Sequence, residues 1–209
     1  MKTELLKFKP SDTVLKKCER FIEIFKEYNS HTNLMSKNDL NVIFEKHIVD
    51  SLSVSELKEF QDSKKILDIG TGGGFPSIPL AIFFEDKKIT AVDSIQKKIR
   101  FIELAKTELG LENLTPLCSR IEELEAKEKF DIVVSRALAS LDKIILYAIP
   151  YLNKGGYIIA YKSKNAQDEL KNAEKIMKKN KITFKRSVSY TLECSEKYER
   201  CLIVLKKEE

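Results

Sequence analysis

The 209-residue sequence has no apolar run approaching the roughly 20 residues that a membrane-crossing helix needs, which argues against an integral helical membrane protein. Residues Met1 to Lys9 carry neither the apolar region of a signal peptide nor the Arg- and Ser-rich character of a transit peptide. Cysteine is sparse. Cys18, Cys118, Cys194 and Cys201 form no C-x-x-C pair, so neither a disulfide framework nor a thiol redox motif is expected, and a reducing cytoplasm fits. The two histidines, His31 and His47, both lie near the N-terminus. With no catalytic cysteine pattern beside them, the chain offers neither a metal cluster of the kind zinc needs nor a convincing general base. No internal repeat, low-complexity tract or Gly/Pro-rich linker divides it.

What is present is ordinary for a soluble fold: 43% hydrophobic and 33% charged residues, in a chain long enough to bury a sizeable core. The net charge of +5 is uneven, because residues 151–209 hold 14 basic against 8 acidic side chains. Such a segment suits a polyanionic partner, and equally a lysine-rich solvated surface.

Ser11 or Asp12 can cap a helix reaching Tyr28, with Val14, Cys18, Phe21, Phe25 and Tyr28 recurring at three and four. The segment Tyr28–Asn33 breaks it, and a second helical stretch is expected over 38–59. The first 62 residues therefore read as a helical extension packed on a domain of 63–209. From Lys64 the rhythm changes. Strands are expected at 65–69, 88–93, 114–118, 130–135, 155–161, 181–190 and 198–206, with helices at 76–84, 94–109, 120–125, 139–151 and 165–180. That alternation predicts an α/β fold on a parallel sheet, the last two strands closing as a hairpin.

Glycine is rationed, seven in all, and four of them fall within positions 70–74. The stretch Ile66-Leu-Asp-Ile-Gly-Thr-Gly-Gly-Gly-Phe-Pro76 is a short apolar strand emptying into a glycine loop, which allows a tight turn and close approach of a ligand to the backbone. A ligand-free turn is the alternative. Two acids frame the loop. Asp68 precedes it, and Asp93 closes the second strand 23 residues after Gly70. Asp93 suits the two hydroxyls of an adenosine ribose, or else caps the following helix. Asp68 can equally serve to fix the loop. A dinucleotide fingerprint would need a third glycine where Phe75 stands, so a nicotinamide cofactor is disfavoured. The pattern Asp68-x-Gly70-x-Gly72-x-Gly74, with the strand order, instead resembles the Rossmann-like, seven-stranded class I AdoMet-dependent methyltransferases.

After the third strand, Ile121 can wall an adenine, and Glu122 can accept its amino group or simply start a helix. The fourth strand ends in Ser135-Arg136-Ala137. An arginine there is costly unless it is paired or binds a ligand, so a ligand contact and a salt bridge both stand. His47 and Asp50, at i and i+3, read as a structural pair or as a substrate contact.

His47-Ile-Val-Asp50-Ser51-Leu52, the loop from Gly70 to Pro79, and Ser135-Arg136-Ala137-Leu138-Ala139-Ser140-Leu141 occur in that order. Together they resemble the bacterial 16S rRNA guanine-N7 methyltransferases of the glucose-inhibited division protein B family, over nearly the whole chain. The resemblance implies AdoMet contacts at Gly70, Phe75, Ile121, Glu122 and Arg136, with Asp93 at the ribose, and Asp68, Gly72 and Gly74 of the motif are expected among the cofactor-binding residues as well. It also implies a guanosine of 16S rRNA as substrate, presented within the small subunit to a monomeric enzyme. Guanine N7 carries a lone pair and no proton, so in-line transfer needs no general base, and Arg136 becomes a positioning residue. Lys162, Lys164 and the basic 171–186 stretch are candidate phosphate contacts, with His47 a further RNA candidate. Three positions depart from the family pattern. Ser77 and Ser163 stand where glycine is usual, and Leu138 where phenylalanine is usual. A positive φ at Ser77 would be strained.

Overall fold

A computed structural model describes residues 1–163, 166–194 and 196–209. Among these, no helix is long and apolar enough to cross a membrane. The first helix, α1 (Asp12–Thr32), starts where Ser11 Oγ accepts from Val14 N and ends at Asn33, whose φ of 53° is left-handed. It runs past the expected end at Tyr28 to the left-handed Asn33, whose N–H closes the last turn on Asn29 O.

The single helix expected over 38–59 is instead a chain of short pieces. These are α2 (Lys37–Leu40), a wide π-type turn over Ile43–Ile48, α3 (Val49–Leu52), a 3₁₀ turn over Ser53–Glu56 and α4 (Lys58–Asp62). The Ser51 hydroxyl donates to His47 O and that of Ser53 to Asp50 O, and Leu57 is extended, so the helical ladder is interrupted locally.

Strands β1 (Lys65–Ile69), β2 (Lys88–Asp93), β3 (Leu114–Cys118), β4 (Phe130–Arg136), β5 (Leu152–Ser163), β6 (Ile182–Glu193) and β7 (Lys197–Lys207) form one sheet in the order β3-β2-β1-β4-β5-β7-β6. The first five are parallel, and β7 runs antiparallel between β5 and β6. Helices α5 (Ser77–Phe83), α6 (Gln96–Leu109), α7 (Leu141–Ala148) and α8 (Ala166–Lys179) complete the alternation. The helix expected at 120–125 is only a 3₁₀ turn, Ile121–Glu123, closed by Leu124 N on Ile121 O before the chain becomes extended at Leu124, with the Tyr151 hydroxyl against the carbonyls of Ile121 and Leu124.

Successive strand residues bury opposite faces, as a sheet covered on both sides requires. Ile66, Val134, Ile159 and Val204 face α1, α5 and α6, while Leu67, Val133, Ile158 and Ile203 face α7 and α8. The first face is aromatic. Phe21, Phe25, Phe75 and Phe101 pack with ring centroids 5.1 to 6.4 Å apart, contacts worth about 0.5–1.5 kcal/mol each beyond simple burial. A Cβ added to Gly73 would lie 3.0 Å from the Phe25 ring, so α1 presses directly on the glycine loop. Lys87, also buried, donates to the carbonyls of Gln61 and Ser63 and ties the end of α4 to the start of β2.

Candidate active site

The strand order reverses between β1 and β4, which opens a crevice beyond their carboxyl ends. The glycine loop crosses it with Gly70, Gly72 and Gly74 at φ 74°, 61° and 87°, values that side-chain-bearing residues rarely adopt. Asp93 orders this loop. Its Oδ2 accepts from Gly72 N at 3.0 Å and from Lys98 Nζ at 3.3 Å, and its Oδ1 accepts from Ile95 N at 3.0 Å. The carboxylate therefore braces the loop and the turn before α6 while still lining the cleft, but it does not cap α6, whose N-cap is Ile95 with no side-chain cap bond.

Asp68 is fully buried beneath the loop. Its Oδ2 accepts from the Ser77 hydroxyl, which also shares a 2.8 Å hydrogen bond with Thr71. Burial pushes its pKa up to about 6, against the opposing pull of the Ser77 and Thr71 hydroxyls, and its Oδ1 has no partner among the described residues. Ser77 does not carry the strain anticipated for it. It is the first residue of α5, with no positive φ, and it supplies the partner that Asp68 needs.

A cleft of about 410 Å³ lies over this loop, lined by Gly70, Asp93, Ile95, Lys98, Ile121, Glu122, Leu138 and Tyr147 among others. Ile95, Lys98 and Tyr147 were not singled out from sequence. Ile95 carried a usable signal, an apolar residue two places after the acid that closes β2. Tyr147 carried none, since its place on α7 only brings it to Glu122 in the fold, where their hydrogen bond raises the phenol's pKa.

Beyond the cleft, the chain turns at Ala137, at φ 55°. Leu138 then leans back over Gly70, so close that a Cβ added there would meet its Cδ1 at 2.5 Å. Arg136 points the other way, into a second pocket of about 330 Å³ lined by Lys46, His47, Asp50, Arg136, Ala137, Tyr161, Lys162, Ser163 and Arg200. Arg136 Nη1 donates to Asp50 Oδ2 at 2.9 Å and Nη2 bonds His47 Nδ1 at 2.8 Å. Phe75 lies under both, its ring 5.3 Å from the guanidinium and 5.5 Å from the imidazole. The expected contacts thus divide. Gly70, Asp93, Ile121 and Glu122 line the cleft, whereas Phe75 is buried against α1 and Arg136 belongs to the neighbouring pocket. The salt-bridge reading of Arg136 and the structural reading of His47 and Asp50 merge into one network.

Of the phosphate candidates, Lys162 donates to Ala139 O at 2.8 Å and to Glu169 Oε2 at 2.6 Å, and Arg186 makes a two-pronged pair with Glu59. Lys164 lies outside the described residues. Two cations not singled out from sequence, Lys46 and Arg200, share the Tyr198 ring at 4.5 and 5.7 Å.

Whether the cleft fits AdoMet can be judged from its walls. Apolar Ile95 and Ile121 suit an adenine face, the carboxylates of Asp93 and Glu122 suit ribose hydroxyls and an amino group, and the glycine backbone leaves room where a side chain would clash. The residues fit. With the sheet order, this arrangement defines a class I AdoMet-dependent methyltransferase. The N-methyltransferase NodS of Bradyrhizobium japonicum WM9, solved with S-adenosyl-L-homocysteine, shares the fold at a TM-score of 0.59 and 13% identity, over 89% of this chain and 99% of that one. The chain belongs to the GidB family, rRNA small subunit methyltransferase G, whose profile matches residues 14–199. It is 40% identical to the ribosomal RNA small subunit methyltransferase G of Fusobacterium nucleatum over 177 residues, 84% of this chain and 75% of the relative. The Lactococcus lactis subsp. lactis counterpart is 36% identical over 203 residues, 95% of this chain and 85% of that protein.

Proposed function

We propose that this methyltransferase modifies N7 of a guanosine in 16S rRNA, using the cleft for AdoMet and the cationic pocket for the RNA backbone beside the target base. The observation that carries the reading is the junction at Ala137, where an acid-bearing cleft and a cation-lined pocket adjoin at the end of β4. In this reading Asp93 holds the ribose, Ile95 and Ile121 the adenine faces, and Glu122 the adenine amino group. Asp68, with its unpartnered oxygen, stands under the loop that receives the methionine end. Bound AdoMet supplies a methyl group on a sulfonium, whose in-line transfer to N7 needs no general base.

The protein's part is alignment, and well-oriented reactants gain on the order of 7–11 kcal/mol. Arg136 and Arg200 would meet phosphates, whereas Lys46 is already paired with Asp39 Oδ1 at 2.6 Å. Such contacts position the RNA without selecting the base. Residues 1–62 are read as a packed extension of the methyltransferase domain at 63–209. The enzyme is read as a cytoplasmic monomer acting on rRNA within the small subunit.

The test is methylation of 16S rRNA and small subunits from cells lacking the gene, followed by mass mapping. The expected product is a single guanine gaining one methyl group, with the chain cleavage after borohydride and aniline that marks 7-methylguanosine. A methyl group on another atom or another RNA would refute the reading.

A further inference from the structure

Arg136 is the point where three remote parts of the chain meet. Asp50 and His47 come from the segment before β1, Phe75 from the glycine loop and Tyr190 from the closing hairpin. Tyr190 OH donates to Asp50 Oδ1 at 2.6 Å, leaving Oδ2 to accept from Arg136 Nη1 at 2.9 Å. The Asp50 side chain is only 5% exposed and that of Arg136 16%, so this pair sits at the inner wall of the cationic pocket. His47 Nδ1 accepts from Nη2, which puts the imidazole proton on Nε2.

A buried ion pair contributes little net stability by itself. Directional bonds from separate segments, with an aromatic ring beneath, instead over-determine the orientation of the guanidinium. Its five N–H donors form a rigid fork, so bonds to Asp50 and His47 on one side fix where the remaining donors point.

We propose that Asp50, His47 and Tyr190 are positioning residues that hold the Arg136 guanidinium in a single orientation, with its remaining donors presented to an RNA phosphate in the adjoining pocket. The kinetic part of this assignment rests on the methyltransferase reading. The Asp50 carboxylate also offsets the Arg136 charge near a base that becomes cationic on N7 methylation, so losing it would oppose the transfer.

The experiment is a double-mutant cycle on the full chain. Tyr190→Phe removes one hydroxyl from the buried Asp50 carboxylate and is expected to lower kcat/KM for methyl transfer about tenfold and to lower Tm by a few degrees, with AdoMet affinity unchanged. In an Arg136→Lys background, where the ammonium cannot make both bonds, the same substitution is expected to cost less than about twofold. His47→Asn, which offers an acceptor near the Nδ1 position, should retain activity that His47→Leu loses. Equal Tyr190→Phe losses in both backgrounds, or His47→Leu as active as His47→Asn, would overturn the proposal.

A second arm needs no activity. In ¹⁵N spectra of the free protein, the Arg136 Nη signals are expected to be resolved by hindered rotation in the wild type and averaged in Asp50→Asn. Signals already averaged in the wild type, or unchanged in Asp50→Asn, overturn it as well. Failure of the wild type to methylate rRNA would instead count against the functional reading, and the spectral arm alone would then decide this one.

Discussion

The cleft and the pocket that flank Ala137 differ in charge balance and in construction. The cleft sets Asp93 and Glu122 against Lys98 and Arg120 over a glycine-loop floor, and it is assembled mainly from strand ends and the residues that follow them. The pocket is lined by Lys46, Arg136, Lys162 and Arg200, with Asp50 as its buried counter-charge, and these come from segments far apart in the chain. A cofactor site can be encoded in a short stretch because the fold already delivers strand ends to one crevice. A site for a large polyanion needs charge collected over a surface. Breaking one site without the other therefore tests whether the two are separable.

Asp93→Ala should separate them most sharply. It removes a carboxylate that braces Gly72 and Ile95 and is assigned to the ribose, a set of charge-assisted bonds worth about 1.5–3 kcal/mol each. AdoMet affinity by calorimetry is expected to fall by at least about 100-fold. RNA affinity should stay within about twofold, since Asp93 does not line the cationic pocket. Unchanged AdoMet affinity would remove Asp93 from the ribose.

A pH scan sharpens the comparison next, because the two sites carry opposite shifts. His47, in the pocket wall, is pushed down to about 3 by burial and by the Arg136 charge, from an ordinary value of 6.5. The unfolded chain thus binds a proton at His47 that the folded one refuses. The contribution is fully present above pH 6.5 and is lost as pH falls toward 3, at up to about 1.4 kcal/mol per pH unit. Asp68, under the cleft, is raised to about 6 by burial, so it works the other way, adding stability as pH falls from 6 through the ordinary 3.8. In urea titrations His47→Asn should flatten the acid loss between pH 6.5 and 4.5, and Asp68→Asn should steepen it. A parallel pH dependence for His47→Asn and wild type would show that His47 titrates normally.

The same contrast explains what could be read without coordinates. Asp68, the glycines and Asp93 form a contiguous pattern whose meaning follows from strand, turn and helix alone, and the expected strands from β1 onward match the sheet closely. The Arg136 network could not be read that way. Its partners lie 86, 89 and, through Asp50, 140 positions apart, and nothing in the spacing of His47 and Asp50 distinguishes a pair that holds an arginine from one that meets substrate. The wide turn that carries His47 was hidden for a related reason. Residues 38–59 hold no glycine or proline that would mark a break, and the serine back-bonds and extended Leu57 that divide them are decided by packing. Arg200 reaches the pocket only through the register that sets it opposite Ser163, a pairing no local pattern reveals.

The smallest effect discriminates among the cations themselves. Lys162 and Arg200 both line the pocket, yet Lys162 is 11% exposed and already held by Glu169 and a carbonyl, so its charge is largely offset. Arg200 has its guanidinium over the Tyr198 ring, which the Lys46 ammonium also contacts, and no carboxylate is found against it among the described residues. Each phosphate neutralised by a protein cation contributes about 0.7–0.9 to the slope of log affinity against log salt. Arg200→Gln should therefore reduce that slope by about one contact and weaken RNA binding a few-fold at moderate salt. Lys162→Gln should leave the slope unchanged and lower Tm, because it strands Glu169, whose Oε2 also accepts from Leu141 N at the start of α7. If Lys162→Gln lowers the slope and Arg200→Gln does not, the RNA backbone runs along the β5 end of the pocket, and Glu169 must release Lys162 when RNA binds.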